Sequence, residues 1–160
     1  MKKTLYLKFL LAYVIFGVFG IIFVTVFVPS LTEQQLIKER SSALHSEATL
    51  ISDTYATELY TSEISLEQVK ERLDYLSVYL YSDIQIINPS GRVVLDTAQP
   101  LDVEKVITIE NFDPTRTGSS YYLVGTFFDY FTTDYLSVIV PITAEYKVKG
   151  YVAIHMSMSY

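Results

Sequence analysis

Three patterns of apolar and polar positions follow one another along the chain. The first is Leu10 to Val28, LLAYVIFGVFGIIFVTVFV, 19 residues without a charge, interrupted only by Gly17, Gly20 and Thr25. As a helix this run is about 28 Å long, the thickness of a bilayer's hydrocarbon core. In lipid a helix also satisfies the backbone from within. Lys2, Lys3 and Lys8 precede the run and no acid does, so the positive-inside bias places residues 1–9 in the cytoplasm and the chain from Pro29 onward outside. A cleaved signal has a shorter apolar core and small residues before the cut, whereas this run leaves through Phe27, Val28, Pro29 and Ser30. A buried core helix fits less well again, because nothing in the run supplies a polar face.

The second pattern has helical period. Pro29, Ser30 and Glu33 predict a capping-box start, and Ile37, Leu44, Ala48, Ile51, Tyr55 and Leu59 then form one stripe at steps of three, four and seven, a long helix over about 31–60. Its apolar face can pack on its own domain, on a twin helix from a second copy, or on both. After a break at Thr61 to Ser65, a second capping box, Ser65 with Gln68, opens a helix carrying Leu66, Val69, Leu73, Leu76 and Leu80.

The third pattern is that of strands. Ile84 to Ile87 and Arg92 to Asp96 flank Asn-Pro-Ser-Gly, a hairpin turn. Asp102 before VEKVITI predicts a short helix running into an irregular segment. NFDPTRTGSS, 111–120, has loop composition. Tyr121 to Phe128, Leu136 to Ile142 and Tyr151 to Met158 are β-branched and aromatic runs separated by the turns DYFTTD and TAEYKVKG. The expected fold class is α+β, with about five mainly antiparallel strands preceded by helices. The expected organisation is a cytoplasmic segment 1–9, a transmembrane helix 10–28, a membrane-proximal helix 29–62 and an extracytoplasmic domain 63–160.

Charge and composition narrow the partners. All 18 acidic residues and nine of the 12 basic ones lie beyond the apolar run, an acidic balance that argues against nucleic acid or anionic lipid, which need a basic footprint. Without cysteine there is neither a disulfide nor a thiolate metal site.

The order of these elements, with IQIINPSGRVVLDT and VIVPITAEYKVKGYVAIHMSMS, resembles the N-terminal sensor half of bacterial transmembrane histidine kinases. The extracytoplasmic part of that family is a PAS-like domain of PDC, or Cache, type. The resemblance implies a homodimer in the cell membrane, a second membrane helix expected to begin at Tyr160 and a cytoplasmic output module that this chain does not contain. Chemoreceptors and diguanylate cyclases carry similar domains. A tethered adhesion module that binds a partner protein is the alternative from another class.

No catalytic residue, cofactor or metal is expected. His45 and His155 lie in separate elements with no HExxH-like neighbourhood. His45 reads as a helix residue, since Ser46 and Glu47 are not followed by the rest of a phosphoacceptor box, and His155 reads as capping the solvent face of a strand. Asp129 and Asp134 read as turn formers sooner than as cation ligands. The candidate chemistry is a small-ligand pocket, because PAS-like folds bind ligands between the sheet and its covering loop. Its candidate residues are Arg92, Arg116, Tyr122, Phe128, Asp129 and Tyr130, against the simpler reading that the aromatics are core. A protein ligand is the other expected partner. The candidate signalling and dimer positions are Ile37, Leu44, Ile51 and Tyr55.

Overall fold

The structure, a computed structural model, describes residues 2–159. Two compact units divide between Glu39 and Arg40. Helix α1, Lys2–Ile51, carries the whole first unit and enters the second. In the first unit the side chains of the apolar run are exposed, and the helix is apolar and long enough to cross a membrane. Thr25 and Thr32 donate their hydroxyls to the carbonyls of Ile21 and Val28 at 2.7 and 2.9 Å, so neither needs water. The expected helix start at Ser30 and Glu33 does not occur. Pro29 lies inside α1. Carrying the helix through a proline forfeits one backbone bond, to the Thr25 carbonyl, whereas a break would orphan four N–H and four C=O groups.

The second unit continues the helical path through a wide π turn, Ser52–Ala56, and a short helix α2, Thr57–Tyr60. Helix α3, Leu66–Leu80, begins with the expected reciprocal capping box of Ser65 and Gln68. Six strands follow: β1 Asp83–Ile87, β2 Arg92–Asp96, β3 Ile107–Thr108, β4 Tyr122–Gly125, β5 Tyr135–Ala144 and β6 Lys147–Ser157. They form one antiparallel sheet in the order β3-β2-β1-β6-β5-β4, one strand more than the sequence suggests. The stretch VEKVITI makes no helix. Its β-branched residues favour extended backbone, and the Ile109 amide donates to the Gly91 carbonyl at 2.8 Å, drawing the segment onto the edge of β2 as β3.

Register assigns the two faces of the sheet. Ile84, Ile86, Val138, Val140, Val152 and Ile154 are cross-strand neighbours on one face, and all are buried. The helices cover this face: Ser52 donates its hydroxyl to the Pro141 carbonyl at 2.8 Å, and Arg40 reaches the Met156 sulfur at 3.9 Å. Leu44, Ala48 and Ile51 are buried as well. The opposite face carries a second core of Ile87, Ile109, Phe127, Ile139 and Ala153, closed by Phe112, Phe128, Phe131 and Tyr151.

The β5–β6 hairpin is tighter than TAEYKVKG suggests, since only Glu145 and Tyr146 lie outside the strands. Both adopt the left-handed region, φ 52° and 63°, as a two-residue hairpin turn of this hand requires. Neither is the Asn or Gly that does so without strain. Replacing them together, Glu145→Asn with Tyr146→Gly, is expected to stabilise the protein by about 1–2 kcal/mol, measured as a higher midpoint in thermal unfolding.

Candidate functional site

The loop-covered face of the sheet holds the chemistry. Parity along the strands puts Gln85 of β1, Asp96 of β2, Ser137 of β5 and His155 of β6 on this face, and all four are buried. They form a continuous chain of hydrogen bonds. The Asp96 carboxylate accepts from the Gln85 amide at 2.9 Å, which turns the Gln85 carbonyl oxygen toward His155 Nε2 at 3.0 Å. An acceptor there requires the proton on Nε2, so His155 Nδ1 accepts from the Ser137 hydroxyl at 2.7 Å. Burial pushes His155 down to a pKa of about 3, fixing the neutral ring. His155 therefore does not cap a solvent face. Phe127 and Phe131 cover its ring edge-on, with centroids 4.3 and 4.9 Å away.

The covering aromatics come from the segment that joins β4 to β5. Gly125 ends β4 with φ 142°, and Phe127, Phe128 and Asp129 follow at φ 47°, 54° and 61°, three successive left-handed residues where the sequence suggests a strand through Phe128. The Phe131 amide closes the turn on the Thr126 carbonyl at 2.9 Å, and Thr126 donates its hydroxyl to Asp129 at 3.2 Å. Tyr130 then ties the loop to the polar chain by donating its hydroxyl to Asp96 at 3.3 Å. Burial, followed by the neighbouring Asp96 charge, pushes the Tyr130 phenol up to about 12. Asp83, at the rim, is raised by burial and then by Asp96. A carboxyl raised in the folded state favours the fold when protonated and costs stability as pH rises through that value. Asp83→Asn is therefore expected to raise the unfolding midpoint at pH 7, with the advantage fading on acidification toward pH 4.

These positions divide the six candidate ligand residues. Arg116, Phe128 and Asp129 come together at a concavity of about 250 Å³ beside the covering loop, with the Arg116 guanidinium 5.5 Å from the Phe128 ring centre. Tyr130 lines a neighbouring hollow of about 270 Å³ with Asp83, Gln85 and Asp96. Arg92 faces a third cleft, on the α3 side of the sheet. Tyr122 pairs with Val138 and so lies on the helix-covered face. The expected single pocket between sheet and loop is filled by the chain's own aromatics, with Phe127 at its centre. Reasoning from sequence missed Ser137, Gln85, Asp96 and His155 as a group. A polar residue at one parity in each of four apolar strands was the available signal.

The four candidate dimer positions are also placed. Leu44 and Ile51 are buried in the chain's own core, and Ile37 is half-exposed. Tyr55 lies under the Arg72 guanidinium of α3, 5.2 Å from its ring centre. Ala43 and Leu50, seven residues apart in the second unit, are exposed instead.

No protein-family model matches the chain, and no curated protein matches it in sequence. Solved structures do match. The sensor domain of the V. cholerae histidine kinase DctB is 17% identical at a TM-score of 0.52, over 83% of this chain and 58% of that one. The sensory domain of the Campylobacter jejuni chemoreceptor Tlp3 is 13% identical at a TM-score of 0.50, over 83% of this chain and 62% of that one. The chain thus spans about three-fifths of the length of the domains it matches. At these identities the likeness is one of fold: a long N-terminal helix followed by a helix-backed antiparallel sheet, a PDC- or Cache-like architecture.

Proposed function

We propose that this chain is the signal-input region of a membrane-anchored sensor, with its folded domain outside the cell and Lys2, Lys3 and Lys8 in the cytoplasm. The observation that carries the reading is one helical element, α1, that bears both a membrane-length apolar run and residues buried in a domain of sensory fold. In this reading the chain is not itself an enzyme and serves a two-component histidine kinase. A chemoreceptor output is the second reading, favoured by the likeness to the Tlp3 domain. The stimulus, a small molecule or a partner protein, acts at the loop-covered face near Arg116, Phe128 and Asp129. Strands β5 and β6 span the sheet between that face and the helices, and the contact of Arg40 with Met156 sets the start of the domain beside its end. A stimulus with different affinity for two packings of these strands shifts the helix.

Two copies meet along the side of α1 that exposes Ala43 and Leu50, since Leu44 and Ile51 are already occupied. Single cysteines at Ala43 and Leu50 are expected to form disulfide-linked dimers in membranes, while a cysteine at Leu44 does not. Dimers through Leu44 alone, or none, would overturn this arrangement. Topology has its own test: Tyr146→Cys, at a fully exposed position, should react with a membrane-impermeant maleimide in intact cells. Lys3→Cys should react only after permeabilisation, and the reverse pattern would place the domain inside.

A further inference from the structure

The cleft that takes Arg92 opens at the edge of β2 and meets the Tyr130 hollow at Asp96 and Gln99, which line both. It has a volume of about 360 Å³ and runs between the outer side of β2, the start of α3 and the segment 99–107. Two features of β2 open it. The pairing of β1 with β2 slips between Ile86 and Ile87, leaving Val94 without a cross-strand partner, a bulge that re-aims side chains. Strand β3 pairs only with Arg92 and Val93, so β2 has no outer neighbour in the sheet from Val94 to Asp96. The lining is mainly apolar, with Leu66, Val94, Leu95, Leu101 and Ile107.

Charge decides what such a cleft accepts. Arg92 and Lys105 line it, and among the described residues neither has a carboxylate within ion-pair distance. The acids of the lining are Glu67, Asp96 and Asp102. Asp96 is held by Gln85, Tyr130 and the Ala98 amide, and Asp102 accepts from the Glu104 amide. Two uncommitted cations beside an apolar floor, in a domain that is otherwise acidic, fit a small anion with an apolar body. We propose that this cleft binds a monocarboxylate bearing an aliphatic body, with Arg92 and Lys105 on the carboxylate and Val94, Leu95 and Leu101 around the aliphatic part, and 4-methylpentanoate serves as the probe.

The test uses the full chain in lipid nanodiscs, with methyl-labelled Ile, Leu and Val followed by NMR. Titration with 4-methylpentanoate is expected to shift the methyls of Val94, Leu95, Leu101 and Ile107 in a saturable way, leaving those of Ile139 and Ile154 unmoved. Acetate, which lacks the chain, and 4-methylpentanamide, which lacks the charge, should each bind at least tenfold more weakly. Arg92→Gln and Lys105→Gln change exposed side chains and should each weaken binding about tenfold, whereas Glu67→Gln should tighten it. Unmoved methyls, an amide that binds as well as the acid, or charge variants that bind unchanged would each overturn the assignment.

Discussion

Gly91→Ala is expected to destabilise the domain by about 3 kcal/mol, enough to lower its unfolding midpoint by roughly 10 °C. Gly91 closes the Asn-Pro-Ser-Gly turn at φ 89°, a conformation that an L side chain adopts only under strain. Space is short there too. A β-carbon would stand 2.7 Å from the Ile109 carbonyl oxygen and 3.0 Å from the Phe112 β-carbon. The backbone cannot simply withdraw, because the Gly91 carbonyl accepts from the Ile109 amide at 2.8 Å, the bond that holds β3 against β2. The two effects act in the same direction, and the neighbour that must move carries Phe112, which packs on Phe128 and Tyr151 with ring centroids 5.5 and 5.6 Å apart. Denaturant unfolding of the variant measures the loss. A loss below about 1 kcal/mol would mean that the 107–112 segment shifts freely and does not help to close the second core.

That turn was legible because its information is local. Asn88 accepts through its side chain from the amides of Ser90 and Arg92, and four consecutive residues specify the hairpin. The capping box of α3 was legible for the same reason. What the sequence conceals is set by partners far along the chain. β1 pairs with β6, about seventy residues later, and no turn chemistry encodes that neighbour. The stripe Leu44, Ala48, Ile51 announced a buried face without saying whether its cover is the chain's own sheet or a second copy. At Phe127 and Phe128 aromatic composition favoured a strand, yet the backbone curls so that Phe127 can seat on the sheet. Burial of that ring outweighs local preference. Alternation along β6 separated His155 from Ile154 correctly, but alternation cannot tell which face is wet when a loop supplies the cover. Of the six candidate pocket residues, Arg116, Phe128 and Asp129 share one concavity beside the covering loop, whereas the pairing of Tyr122 with Val138, a partner sixteen residues along, puts Tyr122 on the other face.

His155→Leu is expected to cost about 3 kcal/mol or more at pH 7, and to change how stability depends on pH. The substitution keeps an apolar side chain of similar bulk against Phe127 and Phe131. It leaves the Ser137 hydroxyl and the Gln85 carbonyl oxygen buried without the partners they have at 2.7 and 3.0 Å, and each orphaned group costs about 1–3 kcal/mol. Because Gln85 and Asp96 are joined in the same chain, Tyr130 and the covering loop loosen with it. The pH dependence separates this polar role from simple packing. His155 titrates at about 3 in the fold and near 6.5 when unfolded. Its contribution is therefore complete above about pH 6.5 and is lost as pH falls toward 3, because the unfolded chain takes up a proton that the folded chain refuses. The slope in that window reaches about 1.4 kcal/mol per pH unit. The leucine variant lacks this titration while every other group is common to both proteins. The stability gap between wild type and variant should accordingly be widest near pH 7 and narrow on acidification to pH 4, measured by denaturant unfolding at each pH. A gap that stays constant or widens would show that the ring is not held neutral between Ser137 and Gln85, and the loop-covered face would then lack the fixed polar spine that ties its covering loop to the four central strands.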